Sequence, residues 1–221
     1  MNKIKFHGFF VNEYNRPDYR LAQAILKYRP GILFLETGSG DGNPDTIFNR
    51  YSANKKPLRE VRAIQSAMRK AARRFGYAKS DILMWSNIVK LWKEGHDVLV
   101  FNADGPAELR REFFEVWKNM YPSATKNWLW WVHIYLRERY MARNIMWALE
   151  RYPSKKPRVA LVQFGGFHWR HVKFLLGKPA RKDIWKYYFG KFSEVAPGTI
   201  AGKIKKQNRV FYKYWLEVSK F

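Results

Sequence analysis

The chain has no cysteine among its 221 residues. That excludes disulfides, thiolate metal sites and a cysteine nucleophile. It is also poor in acid, with 18 Asp and Glu against 42 Lys and Arg, a formal net charge of +24. A balance of that sign points toward an anionic partner. No run of apolar residues is long enough to cross a bilayer. The richest stretch, Trp128 to Leu136, is short and holds a histidine. The opening MNKIKFHGFF shows neither the apolar core nor the small-residue cleavage site of a secretory leader. No lipidation motif, internal repeat, low-complexity tract or clear linker is visible. A soluble, cytoplasmic protein is the expectation.

What is present is a core and a charge. Hydrophobic residues make up 47% of the chain and aromatics 18%, enough to fold one large domain or a domain with an extension. The charge is uneven along the chain. Residues 1 to 150 carry 25 Lys and Arg against 15 Asp and Glu; residues 151 to 221 carry 17 against 3. Nucleic acid, an anionic membrane surface and phosphorylated ligands are the partners such a bias suits. Solubility in a thermophile is the plainer explanation.

The apolar pattern reads as short strands alternating with helices. Strands are expected at Lys3 to Phe10, Gly31 to Glu36, His96 to Asn102 and Arg158 to Phe164, the last three as continuous buried runs. Helices are expected at 16–28, 57–75, 80–93, 107–121 and 127–151, and from Arg170 to Leu176. Ser80 or Asp81 would cap the third helix. A Gly/Asp/Asn-rich loop, TGSGDGNP, lies at Thr37 to Pro44. This order predicts an α/β fold, a parallel-rich central sheet flanked by helices, over residues 1–177. A basic, aromatic extension, residues 178–221, would pack on it, with a turn at Val195 to Gly198.

Parallel α/β sheets bind ligands beyond the carboxyl ends of their strands. The sequence puts polar groups at those ends: His7-Gly8 near the first, Glu36 at the second, Asp104 after the third, and Gly165-Gly166-Phe167-His168 after the fourth. Histidine is the usual general base and a common metal ligand, and carboxylates supply oxygen ligands or orient a histidine. A cysteine-free set of this kind, His7, Glu36, Asp104 and His168, suits one divalent ion such as Mn or Zn. Each residue also has a purely structural alternative: a cap, an ion-pair partner or an edge residue.

The helix YLRERYMARNIMWALERY, Tyr135 to Tyr152, adds to this set. Met141, Ile145, Ala148 and Leu149 form a core face by spacing, and Arg137 and Glu138 stand near its start. An arginine entering a core face needs an anionic partner, and Glu36 or a bound anion would serve.

At this point the sequence resembles a known group. Arg137-Glu138-Arg139-Tyr140-Met141-Ala142-Arg143-Asn144-Ile145, followed by an apolar strand ending in Gly165-x-x-His168, is similar to the erythromycin esterase, ChaN, TraB and Tiki superfamily. His7-Gly8 and Glu36 stand where that superfamily has its first-strand histidine and second-strand glutamate. Asp104 stands where some members have an aspartate. The first motif departs from the Gly-x-x-His form of several members, because Val11 follows Gly8 at that spacing. The likeness covers about residues 4 to 176. It implies an EreA/ChaN-like fold and a hydrolase-type site for ester or peptide bonds, with or without divalent metal; other relatives bind iron or haem.

Two functional expectations follow. The first is a hydrolase of a small molecule or peptide. His7 and His168 would be bases or metal ligands and Glu36 a ligand or orienter. Arg137 would hold an anionic group, with Glu138 and Asp104 in support. The second is a nucleic-acid-binding module using Arg170, Lys173, Arg181, Lys182 and Lys186, with Trp185, Tyr187, Tyr188, Phe189, Phe211, Tyr212 and Trp215 interleaved. Most of those aromatics are expected to be core. An anionic membrane surface is the weaker third partner, and the sequence fixes no oligomeric state.

Overall fold

The computed structural model describes residues 4–11, 18–36, 58–73, 77–120, 127–153, 158–165, 168–192 and 200–219. In chain order the elements are β1 (Ile4–Val11), α1 (Arg20–Tyr28), β2 (Ile32–Leu35), α2 (Leu58–Ala71), α3 (Tyr77–Lys93), β3 (Leu99–Asn102) and α4 (Ala107–Met120). They continue with α5 (Trp128–Arg151), β4 (Arg158–Gly165), α6 (His168–Leu176), α7 (Arg181–Phe189), α8 (Ile200–Gln207) and α9 (Arg209–Val218). The expected α/β class is observed. The four strands form one all-parallel sheet in the order β1-β4-β2-β3. The loop at Thr37 to Pro44, Gly166-Phe167 and the turn at Val195 to Gly198 lie outside the described residues.

The chain divides into two compact units. One holds the four strands and α1 to α3, together with Tyr152 and Trp169. The other holds α4, α5 as far as Leu149, and the chain from Arg170 through α9. The extension expected at 178–221 therefore shares its unit with α4 and α5.

In the sheet unit, register fixes which side chains share a face. His7, Leu161 and Leu33 are aligned across β1, β4 and β2, and Phe9, Gln163 and Leu35 are aligned two residues further on. Strand alternation puts both rows on the same face. Leu33, Leu35, Val100 and Leu161 from that face form one buried cluster with Leu21 and Ile25 of α1, Val61 of α2 and Met84, Trp85, Ile88 and Trp92 of α3. Burying each such side chain contributes about 1.5–3 kcal/mol. The opposite face is aromatic: Phe34 lies against Phe101, Phe101 against Tyr152, and Trp169 against both Phe6 and Phe164.

The first strand, expected at Lys3 to Phe10, is β1, but His7-Gly8 lies within it and not near its end: β1 runs on to Val11 opposite Gly165 of β4. The glycine serves packing instead of termination. A Cβ at Gly8 would overlap the indole of Trp169, so only glycine lets that ring close over β1. The third helix likewise starts earlier than expected, at Tyr77, so neither Ser80 nor Asp81 caps it. The Ser80 hydroxyl accepts a hydrogen bond from the Asp18 N–H at 3.2 Å.

In the helical unit, Tyr135 of α5 packs against Tyr188, Phe189 and Trp215. Polar bonds join α9 to α4: Lys213 Nζ donates to Glu108 at 2.7 Å, and the Tyr214 hydroxyl donates to the same carboxylate. Asn208 donates to Glu112 at 2.7 Å while its own side-chain oxygen caps α9 by accepting from the Phe211 N–H. No helix among the described residues is long and apolar enough to cross a membrane.

Candidate active site at the carboxyl edge of the sheet

Neighbouring strands β2 and β4 send the chain to opposite faces of the sheet. After β2 it reaches α2 and α3 on the cluster face; after β4 it reaches Trp169 on the aromatic face. Divergence of this kind at adjacent strand ends is what opens a ligand crevice in a parallel sheet. Glu36 follows β2 directly at this place. Its N–H donates to the Gln163 carbonyl at 3.0 Å, extending the ladder by one residue. Its carboxylate accepts a hydrogen bond from the Gly165 N–H at the end of β4. A Cβ on Gly165 would sit 3.3 Å from a Glu36 carboxylate oxygen, so glycine leaves room for the carboxylate.

Gln163 points to the cluster face, where Leu35 and Phe9 are its register neighbours. Its side chain hydrogen-bonds Asp81, in the second turn of α3. Burial pushes the Asp81 carboxyl up to about 6, and among the described residues only the Gln163 hydrogen bond works against it. Glu36, Gly165, Gln163 and Asp81 are thus joined by hydrogen bonds at one end of the sheet. His168 opens α6 three residues after Gly165 and is buried.

His7 is placed differently from the strand-end position expected of it. It lies in the middle of β1, paired with Leu161, and its ring stacks on Tyr28, with centroids 4.4 Å apart. Its Nε2 is enclosed without a hydrogen-bond partner among the described residues.

The remaining expected site residues belong to the helical unit. Asp104 is fully buried and receives two parallel hydrogen bonds from Arg137, at 2.7 and 2.8 Å, with Arg110 at 3.7 Å. Burial alone would raise the Asp104 carboxyl. The charge and hydrogen bonds of Arg137, the Arg110 charge and the Gly105 N–H outweigh it and hold the group below the usual aspartate range. Asn144, two turns on from Arg137 along the same helical stripe, donates to the carbonyls of Ala103 and Asp104. Glu138 is also fully buried; the Tyr188 hydroxyl donates to it at 2.5 Å and His171 Nδ1 lies 2.9 Å away. Burial and the Glu138 charge push the Tyr188 phenol far up, so it stays a donor. The anionic partner expected for Arg137 is found in Asp104.

Sequence reading missed Asp81 and Gln163. Gln163 did leave a signal, as the single amide in the apolar run VALVQF. Asp81 did not, because a polar residue beside Ser80 reads as a cap. Among the described residues no three His, Asp or Glu side chains converge in a way that could hold a metal ion. Arg170, Lys173, Arg181, Lys182 and Lys186 are all exposed, Tyr187 is partly exposed, and Tyr188, Phe189 and Phe211 are core. In comparisons with family models, curated proteins and solved structures, nothing matches this chain.

Proposed function

We propose that this protein is a small cytoplasmic hydrolase of ester or peptide bonds, working at the carboxyl ends of β2 and β4. The observation that carries the reading is Asp81: a half-buried carboxyl, raised to about 6 and tied to Gln163, near the end of a parallel sheet where the chain leaves adjacent strands toward opposite faces. A carboxyl with that value is largely ionised at neutral pH and still basic enough to take a proton. In the proposed reaction, Asp81 takes a proton from water as the water oxygen bonds to the substrate carbonyl carbon. The bond to the leaving alcohol or amine then breaks, and Asp81 returns the proton to it. Glu36, held by the Gly165 N–H, orients the water or substrate. His168 is a second proton-transfer group at the same strand end. The superfamily resemblance of the Arg137 to His168 block favours the same class of reaction.

The test is a panel of p-nitrophenyl esters and chromogenic peptides, with wild type beside Asp81→Asn, each with and without Mn or Zn. Wild-type turnover is expected whose kcat/KM falls as pH drops through about 6, with a loss of roughly two to four orders of magnitude in Asp81→Asn. No turnover by wild type under any condition, or turnover undiminished in Asp81→Asn, overturns the reading.

A further inference from the structure

The helical unit carries a surface unrelated to that chemistry. Between His168 and Phe192 the sequence has seven Lys and Arg and one acidic residue, Asp183. Three other cations of the unit are paired: Arg137 with Asp104, Arg143 with Glu217 and Lys213 with Glu108. Arg170, Lys173, Lys182 and Lys186 are exposed, and none forms an ion pair among the described residues. Their helices also present an aromatic ring. Tyr187 of α7 is 38% exposed and stacks on Phe174 of α6, with centroids 4.5 Å apart and planes 21° apart. Phe174 stands one helical turn after Arg170, and the Arg170 charge acts on the Tyr187 phenol against the effect of its burial.

Uncommitted cations beside a ring that is braced from behind are the two parts a single-stranded nucleic acid uses: phosphates meet Lys and Arg, and a base stacks on the ring. A membrane surface would instead need a row of exposed apolar side chains. Here Val172 and Leu175 of α6 and Tyr188 and Phe189 of α7 are buried. A folded duplex would not present an unstacked base to Tyr187. We infer that the α6–α7 surface, with Arg170, Lys173, Lys186 and Tyr187, binds single-stranded nucleic acid.

The experiment is fluorescence anisotropy of a labelled oligothymidylate and an oligouridylate against the full chain over a range of salt. The partner of each variant is a control with the same charge change elsewhere, Lys90→Gln with Lys93→Gln on α3. Binding is expected to weaken steeply with salt. Arg170→Gln with Lys173→Gln should lower the magnitude of the log–log salt slope by about 0.7 per lost phosphate contact, and the α3 control should leave it unchanged. Tyr187→Ala should weaken binding roughly ten-fold with the slope intact, and Tyr187→Phe should bind like wild type. Salt-independent binding, equal losses in the α3 control, or binding to phosphatidylserine vesicles without binding to either oligonucleotide overturns the assignment. None of these variants touches Asp81, Glu36 or His168, so failure here leaves the hydrolase reading standing, and the reverse.

Discussion

Two aspartates, one fully buried and one half-buried, show how differently the two units treat the same group. Asp104, in the helical unit, is fully buried and yet held below its usual range, because Arg137 grips both its oxygens and Arg110 adds a second charge. Asp81, in the sheet unit, meets an amide instead of a cation and is pushed up to about 6. Burial disfavours the charged form in both places; the partner decides the sign. Buried ion pairs of the first kind hold a fold in one arrangement and do little chemistry. A carboxyl left poised near neutrality is a cost to the fold, and such costs gather at functional sites.

The largest effect should come from cutting the Asp104 pair. Arg137→Met takes the two-pronged cation from a buried carboxylate that keeps the Gly105 N–H and Arg110 at 3.7 Å, and a loss of about 3–5 kcal/mol is expected by denaturant unfolding. Adding Asp104→Asn to that variant should recover part of the loss, since no buried charge is then stranded. A double variant as unstable as the single would mean that the arginine works through packing.

Asp81→Asn should do the opposite. Holding a carboxyl from 3.8 up to about 6 costs the folded state up to roughly 3 kcal/mol above pH 6. The amide removes that cost and keeps an acceptor for Gln163, so a gain of about 1–3 kcal/mol at pH 7 is expected, together with loss of hydrolysis. The pH dependence of stability separates the two aspartates further. The Asp81 cost is full above about 6 and is relieved as pH falls toward 3.8. The Asp104 contribution is full above the unfolded value near 3.8 and is lost only as pH falls through its lower folded value. Between pH 7 and 4, wild type should therefore lose its deficit relative to Asp81→Asn.

Gln163→Leu removes the one described group that lowers Asp81, so the acid limb of kcat/KM should move above 6. A limb that stays in place would assign it to another group. The smallest effect should come from a surface pair such as Glu115 and Lys118, whose side chains are both mostly exposed. Neutralising it should change stability by no more than about 0.5 kcal/mol.

The order of elements was legible because apolar runs and their Gly and Pro boundaries are local signals. Each expected strand and helix through Leu176 has a counterpart within a few residues. Strand order was not legible, since β4 inserts between β1 and β2 through contacts far apart in sequence. His7 looked like a strand end because Gly8 follows it, whereas Gly8 is there to admit Trp169. The position of Glu36 at the end of β2 was legible because it directly follows an apolar run. The setting of Asp81 was not, because it is made by Gln163, 82 residues away, and by the packing of α3 on the sheet. Arg137 was rightly read as needing an anion, but spacing along one helix cannot say which carboxylate supplies it.

The most direct test is a titration of the aspartate side-chain carboxyl carbons by NMR, with wild type beside Asp81→Asn. One carboxyl titrating near 6 and missing from the variant is the expected result. An Asp81 signal titrating near the ordinary value of about 3.9 would contradict it, and with it the assignment of proton transfer to the end of β4.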